Sequence, residues 1–136
     1  MKKLQNMIFG IDFDGTCVTH EYPNVGRDIG AQKVLQKIVD NGGLLILWTM
    51  RSGKTLEDAV KWFEDNKLPL YGVNNNPEQI LWTQSPKAYA HLYIDDAALG
   101  CPLKTDSLPD SPHIKNRPYV DWEKVEKYLD RAFNLE

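Results

Sequence analysis

The stretch Met7-Ile8-Phe9-Gly10-Ile11-Asp12-Phe13-Asp14-Gly15-Thr16-Cys17-Val18 decides how the rest of the chain is read. Its apolar run is long enough for one buried strand, and the Gly-Thr behind the second aspartate breaks that strand into a turn. Two carboxylates are therefore presented at a strand's carboxyl end, which in an open α/β sheet borders the crevice where ligands bind. Phe13 separates them, so strand alternation puts Asp12 and Asp14 on one side, close enough to share a divalent cation. Such a cation would cancel the repulsion between Asp12 and an anionic phosphate ester and orient the attack. Asp14 can then serve as general acid and base. Asp-x-Asp-Gly also fits an ordinary acidic turn or a calcium loop, and the motif alone leaves these alternatives open.

Working outward, Asp28 is positioned to cap a helix whose apolar face is Ala31, Val34, Leu35, Ile38 and Val39, ended by Asn41-Gly42-Gly43. Leu44 to Thr49 is apolar almost throughout, as a parallel strand covered on both faces would be. Thr49 closes it, and Met50-Arg51-Ser52-Gly53-Lys54 forms a loop at the same edge as Asp12, where a hydroxyl and a cation can hold the non-transferring oxygens of a phosphoryl group. Arg51 is the candidate substrate contact there. Ser52-Gly53-Lys54-Thr55 lacks the upstream glycine of a P-loop.

Thr55 with Asp58 marks a second helix start, with Leu56, Ala59, Val60 and Phe63 as its buried stripe. Tyr71-Gly72-Val73 is a short third strand, the Asn-rich loop 74–77 follows it, and residues 78–84 carry one or two helical turns. His91 to Asp96 is a strand ending in two carboxylates, mirroring the first. Acidic residues at the ends of two strands converge on one point, which a metal explains, with Asp95 as the inner ligand and Asp96 supporting it. Residues 97–118 read as a long surface loop without an element of its own. Asp121 caps a last helix packed through Trp122, Val125, Leu129, Ala132 and Phe133.

The 136 residues fit a single domain with one core, 1–136, and 42% apolar with 26% charged residues is ordinary for a globular protein. A net charge of -3 excludes a broad basic surface for nucleic acid. No run reaches transmembrane length, and Lys2 and Lys3 are followed by no secretory core. Cys17 and Cys101 are too few for a disulfide framework, so both are expected as reduced thiols in a cytoplasmic protein, Cys17 as a small buried residue.

Asp12-Phe13-Asp14-Gly15-Thr16, then Thr49, then Lys87, then Tyr93-Ile94-Asp95-Asp96 resembles the four ordered motifs of the haloacid dehalogenase-like (HAD) hydrolases, a match spanning residues 8–96. The resemblance implies a three-layer Rossmann-like α/β fold, a parallel sheet with helices on both faces, and Mg²⁺-dependent phosphotransfer through an aspartyl-phosphate. It makes Asp12 nucleophile and metal ligand, and Asp14 acid/base and a metal ligand through its carbonyl. Thr49 would bind phosphate, Lys87 stabilise charge, and Asp95 and Asp96 complete the metal site. The intervals where family caps are inserted each hold one loop and one helix, so the chain resembles the small uncapped members, open or closed by a neighbouring subunit.

Lys87 precedes Asp95 by eight residues, and at roughly 3.3 Å per strand residue an extended path leaves it near the wrong end of the sheet. The chain must fold back, or Arg51 or Lys54 substitutes. Three functions follow: a phosphatase for a small phosphorylated metabolite, the same chemistry on a phosphorylated protein or nucleic-acid end, or a non-catalytic phosphate-binding module. A receiver domain would place the acidic pair first, and here Asp95 and Asp96 come last. None of the acidic groups a degenerate domain would lose is missing, which favours catalysis.

Overall fold

The computed structural model describes residues 2–106 and 117–135. Strand β1 (Ile8–Ile11) leads to helix α1 (Ala31–Asp40), β2 (Leu44–Leu47), α2 (Gly53–Asp65), β3 (Leu70–Val73), a 3-10 turn (Gln79–Leu81) and β4 (Leu92–Ile94). A hairpin of β5 (Leu103–Lys104) and β6 (Tyr119–Val120) then precedes α3 (Trp122–Phe133). The first four strands form one sheet in the order β3-β2-β1-β4, every pair parallel. The molecule is thus an α/β fold with a parallel sheet flanked by helices, consistent with a Rossmann-like architecture.

Strand alternation divides the sheet into two faces. Phe9 and Ile11 pair with Leu45 and Leu47. These four join the buried residues of all three helices in one core: Val34, Leu35 and Ile38 of α1, Ala59, Trp62 and Phe63 of α2, and Val125 and Leu129 of α3. The intervening row, Ile46, Gly10 and Tyr93, faces the other way. Ile46 is fully buried there yet lies outside the helical core. Residues 88–90 cover this row: the Tyr93 hydroxyl donates to the Ala88 carbonyl at 2.7 Å, and a Cβ on Gly10 would approach the Tyr93 ring to 2.8 Å. The expectation of helices on both faces is corrected accordingly, since α1, α2 and α3 all pack in the one core. β1, β2 and β3 succeed one another in one direction across the sheet, so right-handed crossovers place α1 and α2 together, and only the return to β4 crosses the second face. No separate domain interrupts the β1–β2 or β2–β3 interval among the described residues.

Several local readings shift. Asp28 does not cap α1; Gly30 in left-handed geometry precedes it, and Asp28 instead accepts the Trp62 indole N–H at 2.9 Å. α2 begins at Gly53 rather than Thr55, with Ser52 at its N-cap, and Trp62 joins its buried face. Asp121 does cap α3, accepting from the Lys124 amide, but Ala132 is exposed and packs nothing. The 97–118 stretch is not free of elements: β5 lies in it, paired with β6, while residues 107–116 fall outside the described ones. No helix among the described residues is long and apolar enough to cross a membrane.

Candidate functional site

β1 and β4 are hydrogen-bonded neighbours in register Ile11↔Ile94, so Asp12 and Asp95 leave adjacent strands at the same edge. The Asp12 amide continues the ladder by donating to the Ile94 carbonyl at 3.1 Å. Carboxylate oxygens of Asp12, Asp95 and Asp96 all lie within 4.8 Å of one another. The loop after β1 holds two of them. The Thr16 hydroxyl donates to Asp12 Oδ2 at 2.7 Å and receives the Asp96 amide at 3.1 Å. That loop is anchored in turn from α3, where the buried Trp122 indole donates to the Thr16 carbonyl at 2.7 Å, and from β6, where the Val120 amide donates to the Gly15 carbonyl.

His20 completes the arrangement, with Nε2 2.9 Å from Asp96 Oδ2. Nothing near it in the sequence signals this, because it comes from the curl of the 15–20 loop. Gly15 permits the approach: at φ +82° it occupies left-handed space, and a Cβ there would lie 2.0 Å from His20 Nε2 and 2.6 Å from Asp96 Oδ2. Gly15→Ala should therefore displace both side chains, and any Mg²⁺ held by these carboxylates would bind about tenfold or more weakly, the usual effect of losing a ligand's support. Isothermal calorimetry of the variant with Mg²⁺ measures this.

Burial pushes the Asp12 carboxyl up from 3.8 to about 8; the Thr16 hydrogen bond opposes the rise and the Asp95 and Asp96 charges reinforce it. Three hard oxygen donors within 4.8 Å of one another fit a small divalent cation such as Mg²⁺. The folded carboxyl sits above its unfolded value, so without metal its contribution to stability is whole below pH 3.8, declines as pH rises and is gone above about 8. A Mg²⁺ held by these carboxylates would remove the penalty on the ionised form. The gain in melting temperature from Mg²⁺ over chelator should therefore increase between about pH 5 and about pH 8, as thermal melts across that range would register.

The other sequence candidates divide. Thr49 and Asp12 line one cavity of about 350 Å³ with Trp48, Met50, Asn74 and Asp95. The Thr49 amide donates to Asn74 Oδ1 at 2.8 Å, so the Asn-rich loop orients the threonine. Lys87 lines an adjoining cavity with Asp12, Trp48, Tyr93 and Asp95, its ammonium 5.4 Å from the Tyr93 ring centre. The chain does fold back to bring it there. The Gln79 side-chain amide donates to the Ser85 and Lys87 carbonyls at 3.0 and 2.8 Å, and its oxygen accepts from the Tyr89 amide at 2.7 Å. One buried glutamine thus shapes the return.

Arg51 does not offer itself to a substrate. Its side chain is 1% exposed. Nε and Nη2 reach the two Asp14 oxygens at 2.8 and 2.7 Å, and the remaining N–H groups meet the carbonyls of Pro23, Asn24 and Thr55. All five guanidinium donors have partners. The same fork takes Asp14 away from the carboxylate cluster, which contains Asp12, Asp95 and Asp96 but not Asp14's carboxylate. The Arg51 guanidinium thus spends its donors within the fold, and the Asp14 carboxylate is held by it rather than beside Asp12. Lys54 is exposed, pairs with Asp58 and lines neither cavity. Cys17 is fully buried, its thiol 3.4 Å from the Asp12 carbonyl and pushed well above the usual thiol range by burial.

No family model matches the chain, and no curated protein matches it. A solved structure of a conserved protein from Bacteroides thetaiotaomicron is similar over 94% of this chain and 93% of that one, with 30% sequence identity and a TM-score of 0.72.

Proposed function

We propose, for a chain that belongs to one family with that conserved Bacteroides thetaiotaomicron protein, a function as a HAD-like, Mg²⁺-dependent phosphatase that works through an aspartyl-phosphate. The observation that carries this reading is the meeting of Asp12, Asp95 and Asp96 within 4.8 Å at the ends of two parallel strands. Thr49 and Lys87 stand on the cavities that open on Asp12.

Asp12 is the nucleophile, with the Thr16 hydroxyl fixing one of its oxygens. Asp12, Asp95 and Asp96 would hold the cation, which when bound supplies positive charge to the phosphoryl oxygens and keeps the Asp12 carboxyl ionised. Thr49 donates to a non-transferring oxygen, and the Lys87 ammonium offsets charge that builds on the phosphoryl group. His20 and Thr16 position Asp96. Among the described residues, Lys87 is the sole cation lining these two cavities. A single lysine suits a small phosphorylated molecule better than a polyanionic macromolecule, whose recognition draws on several cations.

The test is release of phosphate from 4-nitrophenyl phosphate with Mg²⁺ and with chelator. Turnover confined to the Mg²⁺ sample is expected; equal turnover under chelation would refute the metal-dependent mechanism.

A further inference from the structure

The three asparagines that follow β3 have different surroundings. Asn75 is exposed. Asn76 serves the fold: its side-chain amide donates to the Tyr89 carbonyl at 3.0 Å and its oxygen accepts from the Glu78 amide at 3.2 Å. Asn74 is half-buried and lines the cavity of about 350 Å³ that Asp12, Thr49 and Asp95 also line.

Asn74 is locked to the end of β2 twice over. Its backbone amide donates to the Leu47 carbonyl at 2.7 Å, and its left-handed backbone, at φ +54°, is one that asparagine tolerates better than most residues. Its side-chain Oδ1 accepts the Thr49 amide at 2.8 Å. That bond spends the Thr49 amide on Asn74 and decides which end of the carboxamide is which. The oxygen is held on Thr49, and the Nδ2 amine, carrying two N–H donors, is the end offered to the cavity. Thr49 Oγ1 in turn accepts the Arg51 amide at 3.1 Å, which leaves the hydroxyl its hydrogen to donate. A carboxamide fixed in this way is a donor set in place before charge arrives, the arrangement that stabilises charge on phosphoryl oxygens.

Resting on the phosphatase reading, we propose that Asn74 is a further catalytic residue, whose Nδ2 donates to a non-transferring phosphoryl oxygen beside the Thr49 hydroxyl. Two neutral donors, from the ends of β2 and β3, then hold the phosphoryl group alongside Lys87. The contact is to the part that every phosphate ester shares, so it acts on inorganic phosphate as well.

The test measures kcat/KM for 4-nitrophenyl phosphate with Mg²⁺, and the dissociation constant of inorganic phosphate by calorimetry, in the wild type, Asn74→Gly, Thr49→Ala and the double variant. Glycine accepts the left-handed backbone, so the turn is kept while the carboxamide is removed. Loss of one preorganised donor typically costs about 10²–10³ in rate. Asn74→Gly is expected to lower kcat/KM by about 100-fold and to weaken phosphate by about tenfold, with similar factors whether residue 49 is threonine or alanine. A loss that vanishes in the Thr49→Ala background would make Asn74 a support for Thr49 alone and overturn the proposal, as would wild-type constants in Asn74→Gly. Asn74→Asp provides a second variant if the glycine protein folds poorly. It keeps the acceptor for the Thr49 amide but replaces the donor with a carboxylate, so both constants should worsen at least as much, and wild-type values overturn the proposal. A wild type that neither releases nor binds phosphate overturns the phosphatase reading and the proposal with it.

Discussion

Asp12→Asn should reduce turnover by about 10⁴-fold or more, the scale on which removal of a catalytic nucleophile acts, while the metal-free variant melts at a higher temperature than the metal-free wild type. The two effects have one origin. Asp12 lies where burial and the charges of Asp95 and Asp96 oppose its ionisation, raising its carboxyl to about 8. An asparagine keeps the volume and can still accept the Thr16 hydroxyl that now bonds Asp12 Oδ2 at 2.7 Å. Its amide can donate to a neighbouring carboxylate, so the like-charge repulsion ends. Function and metal-free stability thus move in opposite directions. Phosphate release and thermal melts under chelator, at about pH 8, measure the pair of effects where the penalty on the ionised form is largest. Wild-type turnover in the variant would remove Asp12 from the mechanism.

Arg51→Met is expected to destabilise the fold by about 3–5 kcal/mol, the usual consequence of removing one partner from a buried ion pair. Methionine fills much of the space along the side chain but leaves the Asp14 carboxylate, 19% exposed, without its counter-charge. Three backbone carbonyls lose donors at the same time, those of Pro23, Asn24 and Thr55. Arg51→Lys should cost less yet still be clearly destabilising, since an ammonium keeps the charge but not the planar fork. Denaturant unfolding of the three proteins reads both magnitudes. A loss below about 1 kcal/mol in Arg51→Met, typical of an exposed ion pair, would show that the fork contributes little to holding the post-β1 loop.

The residues that carry these predictions were unequally legible. β1 and its two aspartates, the apolar β2, the Gly42 helix end and the Asp121 cap were readable because each depends on neighbours a few positions away. Asp95 and Asp96 were readable as partners of Asp12 because parallel strands bring their carboxyl ends to one edge. Arg51 was less legible for an equally physical reason. A cation in a loop beside the site looks available until its partners are known, and Asp14 is 37 positions away in the chain. His20 was missed because an isolated histidine in a loop gives no periodic or spacing signal, and its contact with Asp96 spans 76 positions.

The sequence by itself determined the alternation of strands and helices, the edge at which carboxylates gather, and the chemistry those donors can support. These follow from local preference, hydrophobic period and the parallel connection. Tertiary structure alone decided that Gln79 folds Lys87 back toward Asp12, that Gly15 admits His20 to Asp96, and that Arg51 closes on Asp14 rather than on a ligand. Each of these rests on a hydrogen bond or a steric allowance between groups far apart in the chain, and such contacts exist only once the packing of the whole domain has set the distances.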